Sequence, residues 1–206
     1  MIYIRKIQEN SKDKELGKHK ILHNTAHELL RYAIEKEYKE KVNKLTMRCS
    51  EHGKPYFAEK QEDGEEILSD IKFNLSHSGE MAVCILTSFE VGIDIEKIRK
   101  YNPKVADKVL TDEEWEWLQK SEHKDKDFIR FWTLKEAYGK YVGKGLGIDF
   151  KKVTFTWREN GEIQCSDEKV RLYQCEIDQE YILSVCLEKK ENWKEESIQI
   201  ARVQEE

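Results

Sequence analysis

Val91-Gly92-Ile93-Asp94-Ile95-Glu96 alternates apolar side chains with small or acidic ones. Period two is the mark of a strand with one buried face, so Asp94 and Glu96 project from the same side, one pleat repeat apart. Two carboxylates roughly 6–7 Å apart repel by about 2–3 kcal/mol at an effective dielectric near 20. A positive group is therefore expected close by, and Mg²⁺, a hard cation that prefers oxygen ligands, is a candidate. The plainer alternative is the wet face of an antiparallel strand.

The surrounding composition narrows the classes of function. A chain of 206 residues suits one large domain or two small ones sharing an interface. Seven Phe, nine Tyr and five Trp supply bulk for a core, while charged residues at 37% make a water-soluble exterior. The net charge of −5 offers no electrostatic footprint for nucleic acid, and lysine runs such as 36–44 are interrupted by Glu37 and Glu40. Neither a membrane span nor a basic-then-apolar leader is legible. Cys49, Cys84, Cys165, Cys175 and Cys186 are odd in number and widely spaced. They predict reduced thiols in a cytoplasmic protein, without a disulfide framework or zinc site.

Upstream of the acidic stretch, residues 1–7 read as a first strand. Ala26, Leu29, Leu30, Ala33, Ile34 and Tyr38 recur at helical spacing, which predicts an amphipathic helix from about Asn24 to Lys41. His19, His23 and His27 lead into it at four-residue steps. No acidic or cysteine partner accompanies them, so a solvated helix face is preferred to a metal site. Gly53-Lys54-Pro55 is a turn, residues 59–69 an exposed loop, and 81–86 a buried strand. Between them Phe73-Asn74-Leu75-Ser76-His77-Ser78-Gly79 reads as a tight polar turn. Its backbone amides and His77 could cradle a phosphate, or His77 could be a structural hydrogen-bonder. Ser76 and Ser78 lack the glycine that a nucleophile elbow places two residues ahead.

Downstream, the basic residues 97–104 form a connector. Thr111 and Glu114 make a capping box, with Leu110 able to staple against Trp115, which accounts for Glu114 structurally. A helix is predicted from Asp127 to Val142, burying Phe131, Leu134, Ala137, Tyr138 and Tyr141. Trp132, Glu136 and Lys140 take the other face, with Lys135 at the border. Glu136 and Lys140 are either a helical ion pair or a third metal carboxylate beside phosphate-binding lysines. Gly143, Gly145 and Gly147 then break the helix without Walker spacing. Residues 153–157, an Asn160-Gly161 hairpin and a strand over 181–187 complete the chain. Helix and strands in both halves predict an α+β pseudodimer of two similar subdomains, divided as residues 1–97 and 98–206.

Phe73–Gly79, Gly92–Glu96 and Trp132–Leu146 (Trp-Thr-Leu-Lys-Glu-Ala-Tyr-Gly-Lys-Tyr-Val-Gly-Lys-Gly-Leu), with Gly53-Lys54-Pro55 upstream, together resemble the Sfp-type 4′-phosphopantetheinyl transferase family. The resemblance covers roughly residues 50–150, and the order and spacing of the segments are more specific than any one of them. It implies a monomeric pseudodimer with coenzyme A and Mg²⁺ in the cleft between the halves. The implied reaction moves the phosphopantetheine arm of coenzyme A onto a serine of an acyl or peptidyl carrier protein. By the same resemblance Asp94, Glu96 and Glu136 would bind the metal, with Glu136 also the base. Lys54, Ser76, His77, Lys135 and Lys140 would contact phosphates, and the region after Glu136, including Lys144, would face the carrier.

The segment before the first long helix departs from the family pattern. It holds Lys18, Lys20 and the histidine row where relatives carry more basic residues, so these side chains are expected to take the 3′-phosphate of coenzyme A. Two other classes of function compete: a non-catalytic module that binds coenzyme A or a carrier protein, and a Mg²⁺-dependent phosphohydrolase.

Overall fold

The structure is a computed structural model that describes residues 1–7, 17–144, 147–189 and 198–204, with the side chains of Lys18 and His19 outside the described set. Its plan is one unit used twice. In the first, β1 (Ile2–Lys6) leads to helix α1 (Lys18–Glu37) and then to the hairpin of β5 (Lys72–Ser78) and β6 (Met81–Thr87). In the second, β7 (Val91–Lys97) leads to helix α4 (Lys124–Val142) and then to the hairpin of β10 (Val170–Ile177) and β11 (Tyr181–Glu188). Both sheets have the same antiparallel order, first strand, last strand, middle strand: β1–β6–β5 and β7–β11–β10. A short β12 (Ile200–Arg202) returns to lie parallel beside β1. The expected duplication is thus carried by topology.

Alternation along the strands sorts side chains into layers. Ile2, Ile4, Val83 and Ile85 meet Ile93, Ile95, Leu183 and Val185 in one core between the two sheets. The opposite face of the first sheet, with Tyr3, Cys84 and Leu86, packs under Leu29, Leu30 and Ala33 of α1. The opposite face of the second, with Ile182 and Cys186, packs under Leu134 and Ala137 of α4. The result is a helix–sheet–sheet–helix stack.

Insertions decorate each unit. The first carries a small antiparallel sheet of β2 (Leu45–Cys49), β3 (Pro55–Lys60) and β4 (Glu66–Leu68). The second carries α2 (Pro103–Val109), α3 (Asp112–Lys120) and the hairpin of β8 (Phe155–Trp157) with β9 (Ile163–Cys165). Thr111 and Glu114 form the expected capping box at the start of α3.

Several sequence expectations need correction. Residues 73–78 are strand and not turn. Asn74, Ser76 and Ser78 fall on one face of β5, and their polarity hides a strand whose polar face is used (below). The expected loop over 59–69 contains the end of β3 and all of β4. Helix α1 starts earlier than predicted, because its first turn is polar, and ends at Glu37. By hydrogen bonding, β7 belongs to the second sheet, since it pairs with β11 along its whole length.

Gly92 is the point of closest approach between α4 and its sheet. A Cβ there would lie 2.0 Å from Ala137 O and 2.4 Å from Tyr141 N, both backbone atoms of the helix. No side-chain rearrangement relieves that contact, so any larger residue must lift α4 off β7. Gly92→Ala is expected to lower unfolding stability by about 1–3 kcal/mol or more. Wild-type stability of this variant in urea titration would contradict the packing described.

Candidate active site

The two sheets meet at β5 and β7, and the strands are joined there without a backbone ladder. Asn74 Oδ1 accepts from Ile93 N at 3.0 Å, Ser76 Oγ from Ile95 N at 3.3 Å and Ser78 Oγ from Lys97 N at 3.1 Å. Every second side chain of β5 thus satisfies every second amide of β7, which would otherwise be an orphan in a buried seam. Asn74 and Ser78 are members of this cluster that the sequence reading does not single out, whereas Ser76 is among the residues the resemblance implies; for all three the segment is strand where a turn is expected. Their period-two spacing was the available signal.

The same hydroxyls position the acids. Ser76 Oγ donates to Asp94 Oδ1 at 2.7 Å, and Ser78 Oγ donates to Glu96 Oε2 at 2.6 Å. Lys140 reaches across from α4 and places its ammonium 2.8 Å from Asp94 Oδ1, 3.0 Å from Ile93 O and 3.4 Å from Leu75 O. Arg99 donates to Glu96 at 2.7 Å. The positive partners expected for the two strand carboxylates are therefore Lys140 and Arg99.

Asp94 is almost wholly buried. Burial pushes its carboxyl above the ordinary carboxylate range, opposed first by the charge of Lys140 and then by the hydrogen bonds from Lys140 and Ser76. Glu136, one turn before Lys140, is also pushed up, by burial first and then by the charges of Asp94 and Glu96, with Lys140 opposing. The three acids thus share one electrostatic neighbourhood. Among the described residues no three His, Cys, Asp or Glu side chains stand close enough together to hold a metal ion as placed. Asp94 Oδ2, however, is buried and has no hydrogen-bond partner, and the donor set is all carboxylate oxygen, the type a hard divalent cation takes.

Two cavities open on either side of Lys140 and share it with Pro55 and Leu75. One, of about 340 Å³, is walled by His23 and His27 of α1 with Ser76, His77 and Asp94. The other, of about 370 Å³, is walled by Lys54, Asn74, Glu136, Gly139, Ile148 and Phe150. His23 and His27 are in contact, with ring centroids 4.5 Å apart and planes inclined at 60°, and burial, then the neighbouring His23, lowers the proton affinity of His27. Lys20 is exposed, and Lys144 is exposed at the mouth of the Gly-rich run, of which residues 145 and 146 lie outside the described set.

Lys54 reaches the site from the small sheet. Its ammonium donates to Tyr141 O at 3.0 Å and to Glu90 at 3.1 Å. A cation there satisfies a carbonyl in the last turn of α4, where the helix dipole favours positive charge. Gly143, at φ +73°, closes the same helix in the left-handed conformation.

Lys135 departs from expectation. It is fully buried, pointing away from both cavities, with its ammonium 2.6 Å from the equally buried carboxylate of Glu114. A phosphate cannot reach it. Neighbouring positions on a helix point about 100° apart, so Lys135 faces the core when Glu136 faces the cleft.

Residues 90–186 match the model of the 4′-phosphopantetheinyl transferase superfamily, and residues 19–88 match that of the 4′-phosphopantetheinyl transferase N-terminal region. The chain is 31% identical over 165 residues to a 4′-phosphopantetheinyl transferase of Bacillus subtilis, covering 77% of this chain and 70% of that one. This chain belongs to the 4′-phosphopantetheinyl transferase superfamily. It is also 32% identical over 150 residues to the family member gsp of Aneurinibacillus migulanus, covering 69% of this chain and 58% of that one. Among solved structures, the holo-[acyl-carrier-protein] synthase of Thermotoga maritima overlaps 50% of this chain and 64% of its own, with a TM-score of 0.42 and 25% identity. The two family matches abut at residues 88–90, in the turn where the first unit ends and β7 begins.

Lys140→Ala tests the electrostatics of the site. Without the ammonium, Asp94 keeps a buried carboxyl whose pKa in the folded state rises further above its unfolded value. A group raised in this way destabilises the folded state when it is ionised, and the penalty fades as pH falls and it takes up a proton. The variant should be less stable than wild type by about 1–3 kcal/mol at pH 8, with a narrower gap at pH 5. A gap that stays constant between the two pH values would remove the assigned role of Lys140.

Proposed function

We propose that this chain transfers the 4′-phosphopantetheine arm of coenzyme A to a serine hydroxyl of an apo acyl or peptidyl carrier protein, with Mg²⁺ as its metal. The observation that carries this reading is the meeting of Asp94 on β7 with Lys140 on α4, beside Glu136, in a chain of this superfamily.

Asp94, Glu96 and Glu136 are the side chains that would hold the ion. When bound there it would act as a Lewis acid that neutralises charge on the pyrophosphate. The remaining work falls to the protein. Lys140, a point charge on a flexible stem, faces both cavities and contacts phosphate without demanding bidentate geometry. Ser76 and His77 line the same cleft, with Lys54 at the far side.

Glu136 takes the proton of the carrier serine as its oxygen bonds to phosphorus and the bond to the adenosine bisphosphate breaks. Burial and the Asp94 charge weaken Glu136 as an acid, which strengthens it as a base. The chemistry is otherwise one of positioning and charge stabilisation. His23 and His27, which line one cavity together with Lys140, take the 3′-phosphate in place of other basic side chains.

Incubation with coenzyme A, Mg²⁺ and an apo carrier protein, followed by mass measurement of the carrier, tests the reading directly. A carrier that gains the arm supports it. An unchanged carrier makes the chain a binder, and cleaved coenzyme A without labelled carrier makes it a hydrolase. Glu136→Gln should reduce transfer by about 10²–10⁴-fold at an undiminished melting temperature, and near-normal turnover would rule out Glu136 as the base.

The histidine pair predicts a pH dependence. Imidazolium, with two donors and a charge, binds phosphate more strongly than neutral imidazole, which has one donor. His27 is held below the ordinary value near 6.5, so its charge sets in only below that pH. The preference for coenzyme A over its 3′-dephospho form should therefore grow between pH 7.5 and 5.5, and a His23→Ala/His27→Ala variant should lose that growth. An equal preference in both proteins at both pH values would exclude the pair.

A further inference from the structure

Beside Glu136, on the face of α4 turned from the cleft, lies a fully buried and fully bonded charge network. Lys135 Nζ donates to Glu114 Oε2, to Phe150 O at 2.9 Å and to Val153 O at 2.5 Å, which uses all three of its protons. Glu114 in turn accepts from Thr111 N at 2.9 Å and from Phe155 N at 2.7 Å. One ion pair therefore ties the start of α3, the middle of α4 and the segment 150–155 to one another. That segment has a second attachment. The Phe150 ring and Ile148 lie against Gly139, so that a Cβ at 139 would be 3.3 Å from Phe150 Cε1 and 3.6 Å from Ile148 Cδ1. Phe150, Ile148 and Gly139 are wall residues of the cavity that Glu136 and Lys140 face.

A buried pair that served only the fold would be replaceable. Exchange of such pairs for apolar side chains of similar volume is commonly neutral or stabilising. This network differs because three of its five bonds end on backbone groups of the cavity-bearing segment (Phe150 O, Val153 O and Phe155 N), which no apolar side chain can hold. We infer that Glu114 and Lys135 are a positioning pair, which holds the Ile148–Phe150 wall against α4 and so sets the shape of the cavity beside Glu136. Lys135 acts on the reaction through that wall and touches no substrate. The kinetic part of this inference rests on the transferase reading above.

The test is the paired variant Glu114→Leu/Lys135→Met, compared with Phe150→Ala and with the combination of all three. The paired variant is expected to fold, with amide exchange over residues 148–155 accelerated at least tenfold and kcat for arm transfer reduced at least tenfold. Misplacement of about 1 Å near a reacting group is enough for losses of this order. Phe150→Ala should give a similar kcat loss. The triple variant should lose less than twofold beyond the pair, because both changes act on one wall. A folded paired variant with wild-type kcat and exchange, or losses that multiply in the triple variant, would overturn the inference.

Gly139→Ala covers the case in which the paired variant fails to fold. It leaves the pair intact, favours the helix and pushes the wall outward, so kcat should fall at least threefold at undiminished stability. Wild-type kcat there would equally overturn the inference. If wild-type protein transfers no arm, the functional reading fails, and the positioning claim is decided by exchange rates alone: fast exchange over 148–155 in the paired or Gly139→Ala variant supports it, and wild-type exchange refutes it.

Discussion

The seam between β5 and β7 is the constraint from which the site follows. Two sheet edges are buried against each other, and their strands do not form a ladder. The amides of Ile93, Ile95 and Lys97 must still be satisfied, since a buried unpaired N–H costs about 1–3 kcal/mol. Side-chain oxygens of Asn74, Ser76 and Ser78 do this. Because a serine hydroxyl can accept and donate at once, the same atoms that close the seam also bond the carboxylates of Asp94 and Glu96. Structure and site are built from the same hydrogen bonds.

That economy explains how buried acids are tolerated. Asp94 sits where burial disfavours its charge, and it is held by one hydroxyl and one ammonium that reach it from different halves of the chain. Lys140 can do so because Gly92 lets α4 lie directly on β7. The backbone-to-backbone contact brings the lysine stem within reach of a strand carboxylate. A site of this kind is pre-organised by close packing on rigid elements, as positioning catalysis requires.

The two adjacent residues Lys135 and Glu136 show how little sequence distance says about role. Both are charged, and both stand within a motif that carries the family resemblance. One is sealed in the core against Glu114, while the other faces the cleft among like charges. Their alternation followed from helical geometry. Which face was core could not be read from it, since the apolar stripe of α4 is broad and Lys135 lies at its border. Glu114 raised a similar ambiguity: the capping box correctly accounted for part of its bonding, and the ion pair with Lys135 depends on a contact between helices.

The sequence by itself determined the periodic elements: β7 and β11 by alternation, α1 and α4 by their apolar stripes, the cap of α3 and the Asn160-Gly161 hairpin. It also determined the set of residue types from which a phosphate-handling site could be made. These are local properties, written in spacing along a single strand or helix. The tertiary structure decided that β5 is a strand, that β7 sides with β11, that the histidines of α1 wall the same cleft as Lys140, and that Lys135 does not. Each of these depends on which surface meets which across many residues, and polar side chains read as solvent-facing until the partner that buries them is in place.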